Sequence, residues 1–213
     1  MSSYRGLILD FGGVLTTSVP ACAAGFERRE GLTAGTLMHL IGLDPAGREL
    51  FADLERGAIS QTEWNARTGE LLGIDGADLL RRALADLAPE PSVIEAAGRL
   101  RAAGVRVGIL SNSTGLDPFN PYLPWRLEEN FDAVLISEHY RMRKPDLEIY
   151  TTMLGLMGLP AEECVFVDDT RHNLPPAQSL GMAVILAADP EATVARLAEL
   201  FDLPLMQKPS GRQ

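Results

Sequence analysis

The chain has 213 residues, 46% of them hydrophobic and 23% charged, which is enough apolar material for one good core with a smaller satellite beside it. A formal net charge of -10 and a pI near 4.8 oppose the phosphate backbone of nucleic acid and the anionic face of a membrane, so neither is expected as a partner. No apolar run approaches the roughly 20 residues that span a bilayer, and no basic region leads into an apolar stretch at the N-terminus, so the expected location is the cytoplasm.

The first predicted element is the strand "RGLILD", which delivers Asp10 to a turn containing Gly12 and Gly13. From residue 17 to about 88 no strand pattern appears. Stretches such as "LFADLERGAISQTEWNARTGELLG" and "GADLLRRALADL" read as helices with charge on one face, too long together for a plain connection. They predict a small helical subdomain over residues 17–88, set into a core formed by 1–16 and 89–205. The core then alternates: the helix "SVIEAAGRLRAAG" closing at Gly104, the strand "VRVGIL", the strand "DAVLI", the helix "DLEIYTTMLGLMG" closing at Gly158, and the strand "CVFVDD". The short helix "LPPAQSLG", the strand "MAVIL" and a helix capped by Asp189 with Pro190 at its first position complete it. Residues 206–213 carry no periodicity and are expected to be a flexible tail.

Five apolar strands without clean alternation suit a parallel sheet covered on both faces. The expected fold class is therefore α/β, a doubly wound parallel sheet with a small α-helical unit. Ligands in such sheets sit at the carboxyl ends of the strands. Cys22 and Cys164 are too few for a disulfide framework and read as small core residues. No heptad or exposed apolar stripe stands out, which leaves the oligomeric state open between a monomer and a homodimer.

Polar residues stand where three strands end: Asp10, then Ser111 and Asn112, then Asp168 and Asp169. A lone aspartate there is most simply a turn former or helix cap. Adjacent carboxylates at a strand end repel unless a cation relieves them, and a hard divalent cation, Mg²⁺ best of all, suits carboxylate and carbonyl oxygens.

In order and spacing, "DFGGVL", "LSNST", the lysine of "RKPD" and "FVDDTRHN" together resemble the four motifs of the haloacid dehalogenase superfamily of aspartate-nucleophile hydrolases, most of them phosphatases. The resemblance covers nearly the whole chain. It implies a strand order of 3-2-1-4-5, a helical cap over residues 17–88, and a small phosphorylated metabolite as substrate. It further implies that Asp10 is the nucleophile that forms an aspartyl-phosphate, with Lys144 as its counter-charge. Ser111 and the backbone N–H of Asn112 would hold the phosphoryl group. Asp10, the backbone carbonyl of Gly12, Asp168 and Asp169 would hold Mg²⁺. Asn173 matches the family's asparagine after the fourth motif, but capping the helix that follows is its simpler expected role.

Gly12 departs from the pattern. Most phosphatases of the superfamily place a second aspartate there, which protonates the leaving group and then activates water. Glycine keeps the carbonyl ligand but lacks the proton donor, a loss of about 10²–10⁴-fold in rate where nothing replaces it. Three readings stay open. The first is a metal-dependent phosphatase whose acid comes from the cap, from solvent, or is made unnecessary by a good leaving group such as that of a sugar 1-phosphate or acyl phosphate. The second is a carbon–halogen hydrolase, whose halide leaves without a proton. The third is a weakly active or non-catalytic binding or regulatory protein on the same scaffold.

Overall fold

The computed structural model describes residues 3–205, so the tail expected at 206–213 lies outside the described residues. Five parallel strands, β1 (Gly6–Leu9), β2 (Arg106–Ser111), β3 (Ala133–Ile136), β4 (Cys164–Asp168) and β5 (Ala183–Leu186), form one sheet in the order β3-β2-β1-β4-β5. Leu9 stands opposite Ile109 on one side and Val167 on the other, which brings Asp10, Ser111 and Asp168 to one edge of the sheet. Strand order reverses beside β1, the place where α/β sheets open a crevice.

Hydropathy fails to alternate along these strands because the sheet has a core on each face. Leu7, Leu9, Val107, Ile109, Val165 and Val167 enter one cluster, and Ile8, Leu110, Cys164 and Phe166 enter the other. Helices α6 (Pro91–Ala102) and α11 (Pro190–Phe201) cover the first face; α9 (Leu147–Met157) and α10 (Leu174–Ser179) cover the second. Two further turns of helix, α7 (Leu127–Asn130) and α8 (Ser137–Tyr140), flank β3. Asp189 caps α11 by accepting from Ala192 N, and Gly158 closes α9 in the left-handed region, both as the sequence predicts. Cys22 and Cys164 are buried thiols.

The segment after β1 is helical throughout: α1 (Val19–Glu30), α2 (Thr36–Gly42), α3 (Pro45–Glu55), α4 (Gln61–Leu72) and α5 (Leu79–Ala83). Ser18, Asp44 and Ser60 cap α1, α3 and α4 with side-chain hydrogen bonds. Buried Glu27 bonds the backbone N–H groups of Gly35 and Leu37, fixing the start of α2. These helices pack on one another through a third cluster that includes Cys22, Phe26, Leu54, Trp64 and Leu80. The chain enters and leaves this insertion side by side: Thr16 bridges Pro89, and Thr17 N donates to Ala88 O at 2.8 Å. No helix among the described residues is long and apolar enough to cross a membrane.

Candidate active site

Asp10 follows β1 directly, its own N–H still laddered to Val167 O at 2.9 Å. Its Oδ1 accepts from Phe11 N at 2.7 Å and pairs with Lys144 Nζ at 2.8 Å. The two glycines that follow have different reasons to be glycine. Gly13 has φ +76°, and a Cβ there would stand 2.0 Å from Asp169 Oδ2, so only glycine lets the turn pass so close to that carboxylate. Gly12 has no positive φ, and a Cβ there would meet only Val19 Cγ2 at 3.5 Å, an ordinary contact. The backbone does not require glycine at position 12.

Asp168, the last residue of β4, is wholly buried and accepts four hydrogen bonds: one from Lys144 Nζ at 2.7 Å, one from Thr170 N at 2.8 Å, and two from Asn173 Nδ2 at 3.1 Å. Asp169 accepts from Thr170 Oγ1 at 3.0 Å. Asp10, Asp168 and Asp169 each offer a carboxylate oxygen within 4.8 Å of the others. Asn173 is thus not the helix cap that its position suggests. It makes no side-chain cap bond, because its amide is committed to Asp168 while its backbone carbonyl accepts from Tyr150 Oη.

Three carboxylates gather around the single ammonium of Lys144, which pairs with Asp10 and Asp168 and is the only side-chain cation paired with any of them among the described residues. Burial pushes the Asp10 carboxyl up to about 8 against the pull of Lys144, and Asp168 and Asp169 add to the push. Burial and the neighbouring Asp168 raise Asp169 too. Burial alone would pull the Lys144 ammonium down, but Asp10 and Asp168 hold it above the usual lysine value. A cluster of this sign, with oxygen donors only, fits a small hard dication, which would add the positive charge that Lys144 does not supply.

Ser111 ends β2 buried, its Oγ 2.9 Å from the phenol oxygen of Tyr122. Tyr122 is steadied by Phe11, ring centroids 4.7 Å apart, and burial raises its phenol pKa, so it stays a neutral hydroxyl. Asn112 spends its side chain on positioning: Oδ1 accepts from Lys144 N at 2.8 Å, and Nδ2 donates to Lys144 O at 3.1 Å and to Glu55 Oε1 at 3.2 Å.

Glu55 comes from the helical insertion, at the end of α3, and pairs with Arg143 Nε at 2.7 Å, while Ser137 Oγ donates to its backbone carbonyl. Burial lifts its carboxyl to about 7, with Arg143 and Asn112 pulling the other way. Gln61 at the start of α4 makes a second tie, donating to Phe119 O at 2.8 Å and accepting from Phe119 N at 3.0 Å. Nothing local within "LFADLERGAISQTEWNARTGELLG" marks Glu55 or Gln61, and nothing marks Tyr122; Arg143 is signalled only by standing directly before Lys144 in "RKPD".

A cavity of about 360 Å³ runs from these groups up between the helices of the insertion. A larger opening of about 1060 Å³ lies at the opposite, amino ends of the strands, around Arg5, Val105 and Asp132, and holds none of the groups described above. Chemistry belongs to the smaller cavity, where the convergent carboxylates are.

Residues 4–181 match the family described as haloacid dehalogenase-like hydrolase. The sesquiterpene phosphatase astK of Aspergillus oryzae is 28% identical over 203 residues, covering 93% of this chain and 97% of that protein. Mouse acyl-CoA dehydrogenase family member 10 is 29% identical over 213 residues, but this chain spans only 20% of its length. Among solved structures, a haloacid dehalogenase family enzyme of Bacteroides thetaiotaomicron, in complex with magnesium and inorganic phosphate, has a TM-score of 0.66 at 23% identity. It covers 87% of this chain and 96% of its own.

Proposed function

This chain belongs to the haloacid dehalogenase-like hydrolases, and from that premise we propose that it is a magnesium-dependent phosphatase of a small phosphorylated metabolite, with the helical insertion as its cap. The observation that carries the reading is the group of three carboxylates, buried Asp10 and Asp168 and half-buried Asp169, gathered at the carboxyl ends of β1 and β4 with one ammonium paired to the first two. Sequence similarity to a phosphatase over nearly the full length of both chains supports the same reaction class.

Asp10, the backbone carbonyl of Gly12, Asp168 and Asp169 would hold Mg²⁺. Bound there, the ion supplies positive charge to the phosphoryl oxygens and keeps the Asp10 carboxylate ionised. Oδ1 of Asp10 already takes both of its contacts, which leaves Oδ2 as the attacking atom. Oδ2 forms a bond to phosphorus as the bond to the leaving oxygen breaks, giving an aspartyl-phosphate. Water then attacks that phosphorus, releasing inorganic phosphate and restoring the carboxylate. Lys144, fixed through its backbone by Asn112, neutralises Asp10 and the transferring group. Ser111 Oγ–H and Asn112 N–H hold a phosphoryl oxygen, with Tyr122 setting the Ser111 hydroxyl.

Position 12 carries no carboxyl, so the leaving oxygen must take its proton from the cap or from solvent, or depart as a stable anion. Phosphate release from acetyl phosphate and from p-nitrophenyl phosphate, each with Mg²⁺ and with EDTA, tests the proposal directly. Chelator-insensitive chloride release from 2-chloropropionate, with no phosphate released from either phosphoryl compound, would replace it with the carbon–halogen reading.

A further inference from the structure

We infer that the substrate carries its phosphoryl group on an apolar carbon chain, and that the helical insertion reads this chain by burying it; the inference rests on the phosphatase reading above. The cavity has two kinds of wall. From the core come polar groups, among them Asp10, Ser111, Arg143, Lys144, Asp169 and His172; from the insertion, as a roof, come Val19, Met38, Ile41, Phe51, Leu84 and Leu87, contributed by α1, α2, α3 and the stretch after α5. Val19, Met38, Ile41, Phe51 and Leu87 are only half-buried, so the roof keeps apolar surface open to the cavity.

The roof offers one polar side chain, Glu55, whose Oε1 accepts from Asn112 and whose Oε2 is ion-paired with Arg143 without a hydrogen bond. A second space of about 20 Å³, lined again by Val19, Ile41, Phe51 and Leu84, continues the apolar path towards Trp64 and Leu80 in the core of the insertion. A sugar ring pushed up under the apolar roof, away from the polar groups of the core, would lose water from its hydroxyls with only Glu55 to meet them, at about a tenfold loss of affinity for each unpaired hydroxyl. A hydrocarbon chain gains roughly three- to four-fold in affinity for each methylene buried. Taking about 30 Å³ for a methylene-sized group, as for a water, the cavity of about 360 Å³ holds a phosphoryl group and roughly six to ten carbons.

The test is a binding series that needs no turnover: calorimetric titration of the protein in Mg²⁺ with n-alkylphosphonates from methyl to decyl, and with glucose 1-phosphate. The expected result is a Kd that falls about three-fold or more per methylene from propyl to about octyl and then levels, with glucose 1-phosphate no tighter than methylphosphonate. A flat series, or glucose 1-phosphate tighter than octylphosphonate, overturns the inference. Ile41→Asn, checked for folding by its thermal transition, should flatten the slope; a folded variant with the wild-type slope overturns this placement of the chain. If that variant does not fold, the wild-type series decides alone. Acetyl phosphate hydrolysis keeps the two ideas apart. Hydrolysis with a flat series removes only the chain, whereas a rising series with no phosphate released from acetyl or octyl phosphate removes only the phosphatase reading.

Discussion

Floor and roof of one cavity are held together in different ways, and the difference follows what each must do. On the floor, Asp168 accepts four hydrogen bonds, Asn112 makes three, and Lys144 pairs with two carboxylates, so each charge has one position. On the roof, Met38, Ile41, Phe51 and Leu87 form the half-buried edge of a helical cluster and are fixed by packing. Electrostatic stabilisation of a transition state needs charges that do not reorganise, whereas burying a chain needs only walls of the right size. The floor is therefore specified atom by atom, and the roof by volume.

Breaking the floor should cost far more than altering the roof. Asp10→Asn removes the nucleophile and is expected to lower phosphate release from acetyl phosphate by about 10³-fold or more; a rate within tenfold of wild type would place the attacking group elsewhere. Chelation should come next, abolishing turnover while Mg²⁺ restores it. Saturating Mg²⁺ should also raise the thermal midpoint, since a ligand at 100 times its Kd stabilises the fold by about 2.7 kcal/mol. Asn173→Ala deletes both amide bonds to Asp168 and should weaken Mg²⁺ binding by about 10- to 100-fold, read as a rise in half-saturating Mg²⁺. If half-saturation does not move, Asp168 is held well enough by Lys144 and Thr170.

Gly12→Asp would sharpen the comparison in the other direction, by adding to the floor. A Cβ at position 12 has room beside Val19, so the variant should fold. It should raise hydrolysis of alkyl phosphates by about tenfold or more and leave acetyl phosphate, whose leaving group needs no proton, almost unchanged. Equal gains on both substrates would mean that the new carboxylate acts on the metal site.

Most of the floor is legible in the sequence because Asp10, Ser111 and Asp168 each end an apolar run, a local signal, whereas Lys144 follows no such run and stands out only through the resemblance of "RKPD" to a known motif. The fold is legible through local signals too, down to the caps at Asp189 and Gly158. Asn173 was misread because a polar residue before "LPPAQ" is locally a cap, and its commitment to Asp168 exists only once β4 and α10 are in place. Glu55, Gln61 and Tyr122 reach the site from segments whose sequence has no periodic relation to it. Even the reason for two glycines in a row is visible only in three dimensions, where Asp169 crowds Gly13 and leaves Gly12 free.

Glu55 joins the two regions, and its effect should be the smallest of the set and the one most dependent on pH. Burial raises its folded pKa to about 7 from an ordinary 4.5, even with Arg143 and Asn112 beside it. Between those values the folded state binds more protons than the unfolded chain, so its contribution to stability is complete below pH 4.5 and is lost as pH rises through 7. Glutamine cannot titrate, and Arg143, whose side chain is 23% exposed, can turn to water for its lost partner. Thermal midpoints of wild type and Glu55→Gln should therefore converge or cross between pH 4.5 and 8, the variant gaining roughly one to three kcal/mol relative to wild type over that range, or a few degrees in a chain of this size. A difference that stays constant with pH would mean that Arg143 offsets the cost of burying the charge in full, and that the roof is tied to the floor by an ion pair that holds equally well above and below pH 7.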